Sequence, residues 1–137
     1  MILFQNQLIV LDYDPSSDIL SVVWPNVNPY DMLEIERSLQ LLVEYIRDYD
    51  VKKLLIDSSK TEMHPEVDPE KYISMVTEFA KKLQKTRLQR SARIIHQDQV
   101  RETESNQVSE KVTQNVGLQI ESRSFINREE AREWLCL

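Results

Sequence analysis

A chain of 137 residues suits one domain spanning residues 1–137. Its 41% hydrophobic and 29% charged residues exclude a wholly disordered chain, and a net charge of −6 argues against a general nucleic-acid binder, which needs a basic face. Gly117 is the only glycine and Cys136 the only cysteine, so neither a glycine-rich phosphate loop nor an internal disulfide can be written, and no cofactor is expected.

The opening Met1-Ile2-Leu3-Phe4-Gln5-Asn6 lacks the pattern of a secretory signal, and no apolar run approaches the ~20 residues of a membrane span. The expected location is cytoplasmic. Leu3 to Leu11 reads as a strand. Asp14-Pro15-Ser16-Ser17 supplies turn chemistry, and Asp18 to Trp24 reads as a second strand, together a hairpin closed off by Pro25 and Pro29.

From Tyr30 to Tyr49 the period becomes helical, with Met32, Ile35, Leu39, Leu42, Val43 and Ile46 on one face. Val51 to Asp57 holds Leu54-Leu55-Ile56, a run that suits a strand buried on both faces. Asp68 and Pro69 start the next helix, whose apolar stripe is Tyr72, Ile73, Val76, Phe79, Ala80 and Leu83.

Leu88 to His96 is read as a strand and Asp98 to Val116 as a polar surface helix, with Val100, Val108, Val112 and Val116 at helical spacing. Gly117 suits the end of that helix, where φ is positive. Leu118 to Ile126 reads as the last strand, and Asn127 with Glu130 forms a capping pattern for a closing helix anchored by Ala131, Trp134 and Leu135. The order β-β-α-β-α-β-α-β-α implies an α/β fold: a mixed, mainly parallel sheet of about five strands with right-handed crossovers and helices packed on it.

That order, with Val22-Val23-Trp24-Pro25, Leu54-Leu55-Ile56-Asp57 and the closing run from Phe125 to Leu135, resembles the SpoIIAA-like small bacterial domains of STAS/Sec14 type. The resemblance implies a fold related to anti-sigma factor antagonists, which carry a phosphorylatable serine in an Asp-Ser-Ser-Gly motif. Asp57-Ser58-Ser59 invites that comparison, but Lys60 stands where glycine is expected, and the three residues directly end the strand. A strand-ending turn built by Asp57 and the serines is the competing reading.

Ligands of parallel sheets sit beyond the carboxyl ends of the strands. Asp57, Ser58, Ser59, His64, His96 and Asp98 fall on that edge, together with Glu62 and Glu66, and form the candidate ligand or regulatory edge. Imidazole beside carboxylate could serve a general base, although no ligand spacing singles out a metal site. Solvated loop residues give the same pattern. Lys81, Lys82, Lys85, Arg87, Arg90 and Arg93 follow one another with no acid between them, a basic patch that would suit an acidic partner or an anionic surface. Helix-end cations produce the same run. Trp24 and Trp134 read as packing residues.

Three functions are consistent with these residues. The first is a non-enzymatic regulatory module that binds another protein or forms a homodimer, as the resemblance implies. The second is a carrier of a small molecule or lipid, as in Sec14-type relatives. The third is an enzyme pairing His64 or His96 with Asp57.

Overall fold

A computed structural model of the chain describes residues 1–96, 98–117 and 119–137, and only the backbone of residues 99–105 and 109. Six strands form one sheet in the order β1 to β6: β1 (Ile2–Gln5), β2 (Val10–Asp14), β3 (Ile19–Val23), β4 (Lys53–Asp57), β5 (Arg90–Ile94) and β6 (Glu121–Phe125). The first two pairings are antiparallel and the last three parallel. Four helices alternate with the later strands: α1 (Met32–Asp48), α2 (Pro69–Leu83), α3 (Gln99–Val116) and α4 (Arg128–Leu135).

The sheet has one strand more than the expected five, because the segment Leu3 to Leu11 is two strands. Asn6 makes the break. Its side-chain oxygen accepts from the N–H groups of Leu8 and Ile9, each at 2.8 Å, while its own N–H donates to the Ile9 carbonyl. An asparagine that bonds its own downstream backbone turns the chain as a reverse turn does. The expected order therefore gains an antiparallel strand at its start.

The second turn is the one expected. Asp14 accepts hydrogen bonds from the hydroxyls of Ser16 (2.7 Å) and Ser17 (2.9 Å). The Ser16 and Ser17 bonds, with Arg132 behind them, hold the Asp14 carboxyl well below the usual carboxylate range. Asp18 closes the turn with φ 57°, a left-handed conformation that aspartate tolerates better than most residues.

The run Leu54-Leu55-Ile56 lies in β4, between β3 and β5, and both leucines have no exposure. Strand alternation sends Leu54 to the core shared with Ile35, Leu39, Leu42 and Ile46 of α1 and Tyr72, Phe79 and Leu83 of α2. Leu55 turns to the smaller core that Ala131, Trp134 and Leu135 of α4 make with Ala92 and Ile94. Helices α1 and α2 thus cover one face, with α3 packed beside α2, and α4 covers the other.

The helix ends follow their sequence signals. A turn of 3-10 helix at Pro29–Asp31 precedes α1, so the helix proper starts two residues later than expected. At its end, Val51 N–H bonds the Ile46 carbonyl and Asp50 N–H the Arg47 carbonyl, the two bonds of a Schellman motif, with Asp50 at φ 53° where glycine is usual. Asp68 caps α2 by accepting from Glu70 N–H, and Asn127 caps α4 by accepting from Glu130 N–H. Gly117 ends α3 at φ 64°.

The last strand differs from expectation. The segment Leu118 to Ile126 reduces to Glu121–Phe125, an edge strand whose first four residues are exposed, and Ile126 is 77% exposed. Leu118 and the side chain of Val100 lie outside the described residues. Among the described residues no helix is long and apolar enough to cross a membrane.

Candidate ligand-binding site

The loops after β3 and β4 run side by side and build a collar at the carboxyl end of the sheet. Val27 and Met63 form an isolated parallel bridge, in which Val27 N–H donates to the Glu62 carbonyl and His64 N–H to the Val27 carbonyl. Thr61 adds a hydroxyl bond to the Trp24 carbonyl at 3.0 Å, and Asn26 accepts from Glu62 N–H at 2.9 Å. This collar holds one rim of a groove of about 1080 Å³ between α2, α3 and the sheet.

The groove has two unlike sides. Helix α2 contributes an apolar wall of Tyr72, Ile73, Val76, Phe79, Ala80 and Leu83, which is the stripe seen in the sequence. Trp24 continues it: its ring tilts against Phe79 with centroids 5.8 Å apart, and its indole N–H donates to the Tyr72 hydroxyl at 3.0 Å. The floor is polar. Alternation along β5 and β6 brings Ser91, Arg93, Ser122 and Ser124 to this side. Ser122 and Ser124 belong to the exposed edge strand, whereas Ser91 and Arg93 are half-buried.

Ser58 and Arg93 mark the point where wall, floor and collar meet. The Ser58 hydroxyl donates to the Ile94 carbonyl at 2.9 Å and accepts from Arg93 Nη1 at 3.1 Å. Arg93 Nη2 reaches Asn106 of α3 at 3.4 Å, and the guanidinium has further interactions besides these.

Both histidines line the groove, and both are oriented in the same way. His64 Nδ1 accepts from Glu66 N–H at 3.1 Å, and His96 Nδ1 accepts from Asp98 N–H at 2.9 Å. An acceptor Nδ1 places the proton of a neutral imidazole on Nε2. His96 Nε2 lies 3.3 Å from the Glu62 carboxylate, and its side chain is only 10% exposed.

The expected edge therefore divides. Ser58, His64 and His96 line the groove. Asp57 turns to the opposite face of the sheet, where its carboxylate accepts from the Ser59 hydroxyl (2.6 Å) and N–H (3.1 Å) and lies 3.5 Å from Arg128 of α4. Burial pushes the Asp57 carboxyl up, but the Ser59 bonds and the Arg128 charge outweigh it, so the group sits below its ordinary value of 3.8. Asp98 meets the edge through its backbone N–H. No hydrogen bond or ion pair joins Asp57 to either histidine among the described residues, and among them no three His, Cys, Asp or Glu side chains are placed to hold a metal ion.

The six basic residues do not form one surface. Lys81 pairs with Glu78 and Arg87 with Asp50, each at 3.4 Å. Lys82 borders a small cleft against α1, and Lys85 is exposed at the end of α2. Arg90 lies over the Trp134 ring, 5.3 Å from its centroid, and donates to the Trp134 and Leu137 carbonyls. Arg93 alternates to the other face. A charge run that crosses a helix end and a strand is split by the two geometries.

Trp134 packs as expected, whereas Trp24 both packs and lines the groove. The groove role of Arg93 and of the α2 stripe is not singled out by the sequence reading. The signal lay in Arg90-Ser91-Ala92-Arg93-Ile94, where Ser91 and Arg93 share the face opposite Ala92 and Ile94. No family model, curated protein or solved structure matches the chain.

Proposed function

We propose that this domain is a non-enzymatic binding module that takes a small organic ligand into the groove between α2, α3 and the sheet. The observation that carries the reading is the groove itself, about 1080 Å³ with an apolar wall and a polar floor at the carboxyl end of parallel strands. Ser58 donates to a carbonyl, each histidine Nδ1 accepts from a backbone N–H, and His96 Nε2 lies beside the Glu62 carboxylate. Groups held in this way shape and orient a ligand. The small-molecule carrier function implied by the SpoIIAA-like, STAS/Sec14-type resemblance agrees with this arrangement.

Native mass spectrometry of gently purified protein tests the proposal. A bound small molecule that is lost on Val76→Glu substitution, with the fold retained by circular dichroism, is the expected result. A clean apo mass, with no thermal shift across a diverse library of small organic compounds, would overturn it.

A regulatory or protein-interaction role is the second reading, and a different observation favours it. Tyr30 (89% exposed), Leu33 and Val23 leave large apolar side chains in solvent around the end of β3 and the start of α1. Tyr30 and Leu33, three residues apart at the start of α1, are exposed apolar groups of the kind that suit a protein partner or a second copy of the chain. Light scattering on the wild type and on Leu33→Glu would reveal a homodimer through its loss.

A further inference from the structure

We propose that β6 is an interface strand, whose open edge pairs antiparallel with the β6 of a second copy of this chain across a two-fold axis at Ser122. The surface is distinct from the apolar residues at the start of α1.

The backbone decides which residues meet the partner. Strand β6 ends the sheet and pairs with β5 on one side. Glu121 N–H donates to the Gln89 carbonyl, and the Phe125 carbonyl accepts from Ile95 N–H. In a strand the N–H and C=O of one residue point to the same side, and successive residues alternate. Glu121, Arg123 and Phe125 therefore bond β5, whereas Ser122 and Ser124 turn their backbone groups to the open edge. Both serines are exposed.

Strand β6 lacks the usual guards of an edge, which are proline, lysine or a bulge. At the other end of the sheet, the register of β1 against β2 shifts between Ile2 and Phe4. Strand β6 instead keeps five unbroken pairs with β5, and Glu121-Ser122-Arg123-Ser124-Phe125 holds neither proline nor lysine.

Charge selects the occupant and the register. Glu121 and Arg123 lie two residues apart and so share one face of the sheet, the face that α4 covers. There Glu121 lies 3.4 Å from Arg90, and the Arg123 guanidinium stands 6.0 Å from the Trp134 ring centroid. In an antiparallel pair centred on Ser122, Glu121 of each copy stands opposite Arg123 of the other. Two opposite-charge cross-strand pairs result, the self-complementarity that a two-fold axis requires. In the same register Ser122 faces its own counterpart, and the two exchange both N–H···O=C bonds, as their outward backbone groups allow. Moving the axis one residue on, to Arg123, sets arginine opposite arginine, which is destabilising. Charges of one sign at positions 121 and 123 would repel a copy; alternation of sign attracts one. A junction of one short strand is small beside the roughly 1,600 Å² of a standard complex, so the dimer is weak and concentration-dependent.

Sedimentation equilibrium of the full chain, carried to about 1 mM, tests the proposal. Expected is a monomer–dimer equilibrium in the wild type. Ser122→Pro removes an N–H that β5 does not use, and proline is tolerated on an edge in that position. The variant should keep its fold by circular dichroism and associate at least tenfold more weakly. Glu121→Arg and Arg123→Glu each set like charges opposite one another. Each should be monomeric alone, and the two should form a heterodimer when mixed. A wild type that stays monomeric throughout, or a dimer unaffected by Ser122→Pro, would overturn the proposal. So would charge variants that gain no association on mixing.

Discussion

The indole N–H of Trp24 donates to the hydroxyl of Tyr72 across 3.0 Å, joining the end of β3 to the first turns of α2. Tyr72 is buried, and the bond satisfies the polar atom of an aromatic ring that otherwise packs in the core beside Phe79. The same pair forms the inner wall of the groove, so one contact serves both the packing of α2 and the shape of the site.

Trp24→Phe and Tyr72→Phe each remove one partner. In a double-mutant cycle read by urea unfolding, the two should couple by about 1 kcal/mol, the usual net worth of a buried neutral hydrogen bond. Tyr72 has a further interaction, so its single substitution should cost more than the coupling. A coupling indistinguishable from zero would show that the bond contributes nothing to stability.

The middle of this fold was legible because it follows from burial. Leu54-Leu55-Ile56 has apolar residues at consecutive positions in a short segment between two helices, which a strand covered on both faces buries. The α1 and α2 stripes, the Asp68 and Asn127 caps and the Gly117 terminator follow equally local rules. What escaped was decided by side chains bonding their own backbone or by context. Asn6 split one apolar segment into two strands through bonds that a hydrophobic pattern does not register. Asp50 filled a left-handed position normally marked by glycine. The site was half visible: Ser58, His64 and His96 lay on the expected edge, but strand alternation sent Asp57 to the α4 face and brought Arg93 to the groove.

Asp57 makes the fold sensitive to acid. Its carboxyl sits below the ordinary value because Ser59 and Arg128 stabilise the charged form more than burial disfavours it. A depressed folded value contributes stability that is present above the unfolded value, near 3.8, and lost as pH falls through the folded value. The stability gap between wild type and Asp57→Asn should therefore be largest at neutral pH and shrink as pH drops below about 4. Urea midpoints measured from pH 7 down to pH 3 check this, and a gap that stays constant with pH would show that the Asp57 charge makes no contribution.

Thr77 of α2 is buried, and its hydroxyl has no hydrogen-bond partner among the described residues. An unsatisfied buried hydroxyl loses its hydration with nothing in return. Valine has nearly the same shape without that group and a similar helix propensity. Thr77→Val should raise stability by about 1 kcal/mol, read as a higher urea midpoint with an unchanged slope. A lower midpoint would mean that the hydroxyl finds a partner in solution.

Two left-handed residues give opposite predictions from one cause. Gly117 has φ 64°, and a Cβ added there would meet no atom within 4 Å. Gly117→Ala therefore creates no clash with neighbours, and its whole cost is the intrinsic penalty of the left-handed region, about 1–2 kcal/mol. Gly117→Asn should cost less, since asparagine visits that region more readily. Asp50 is the converse, at φ 53° in the C′ position of α1. Asp50→Gly gives up pairs with Lys52 and Arg87, each at 3.4 Å, that are exposed enough to contribute little. It relieves the backbone in return, so the variant should match or exceed the wild type. Thermal unfolding of the three variants at one pH sets these against each other. A Gly117→Ala protein as stable as the wild type would show that α3 ends without needing the left-handed turn. A large loss in Asp50→Gly would assign Asp50 a structural charge role that its exposed pairs do not indicate.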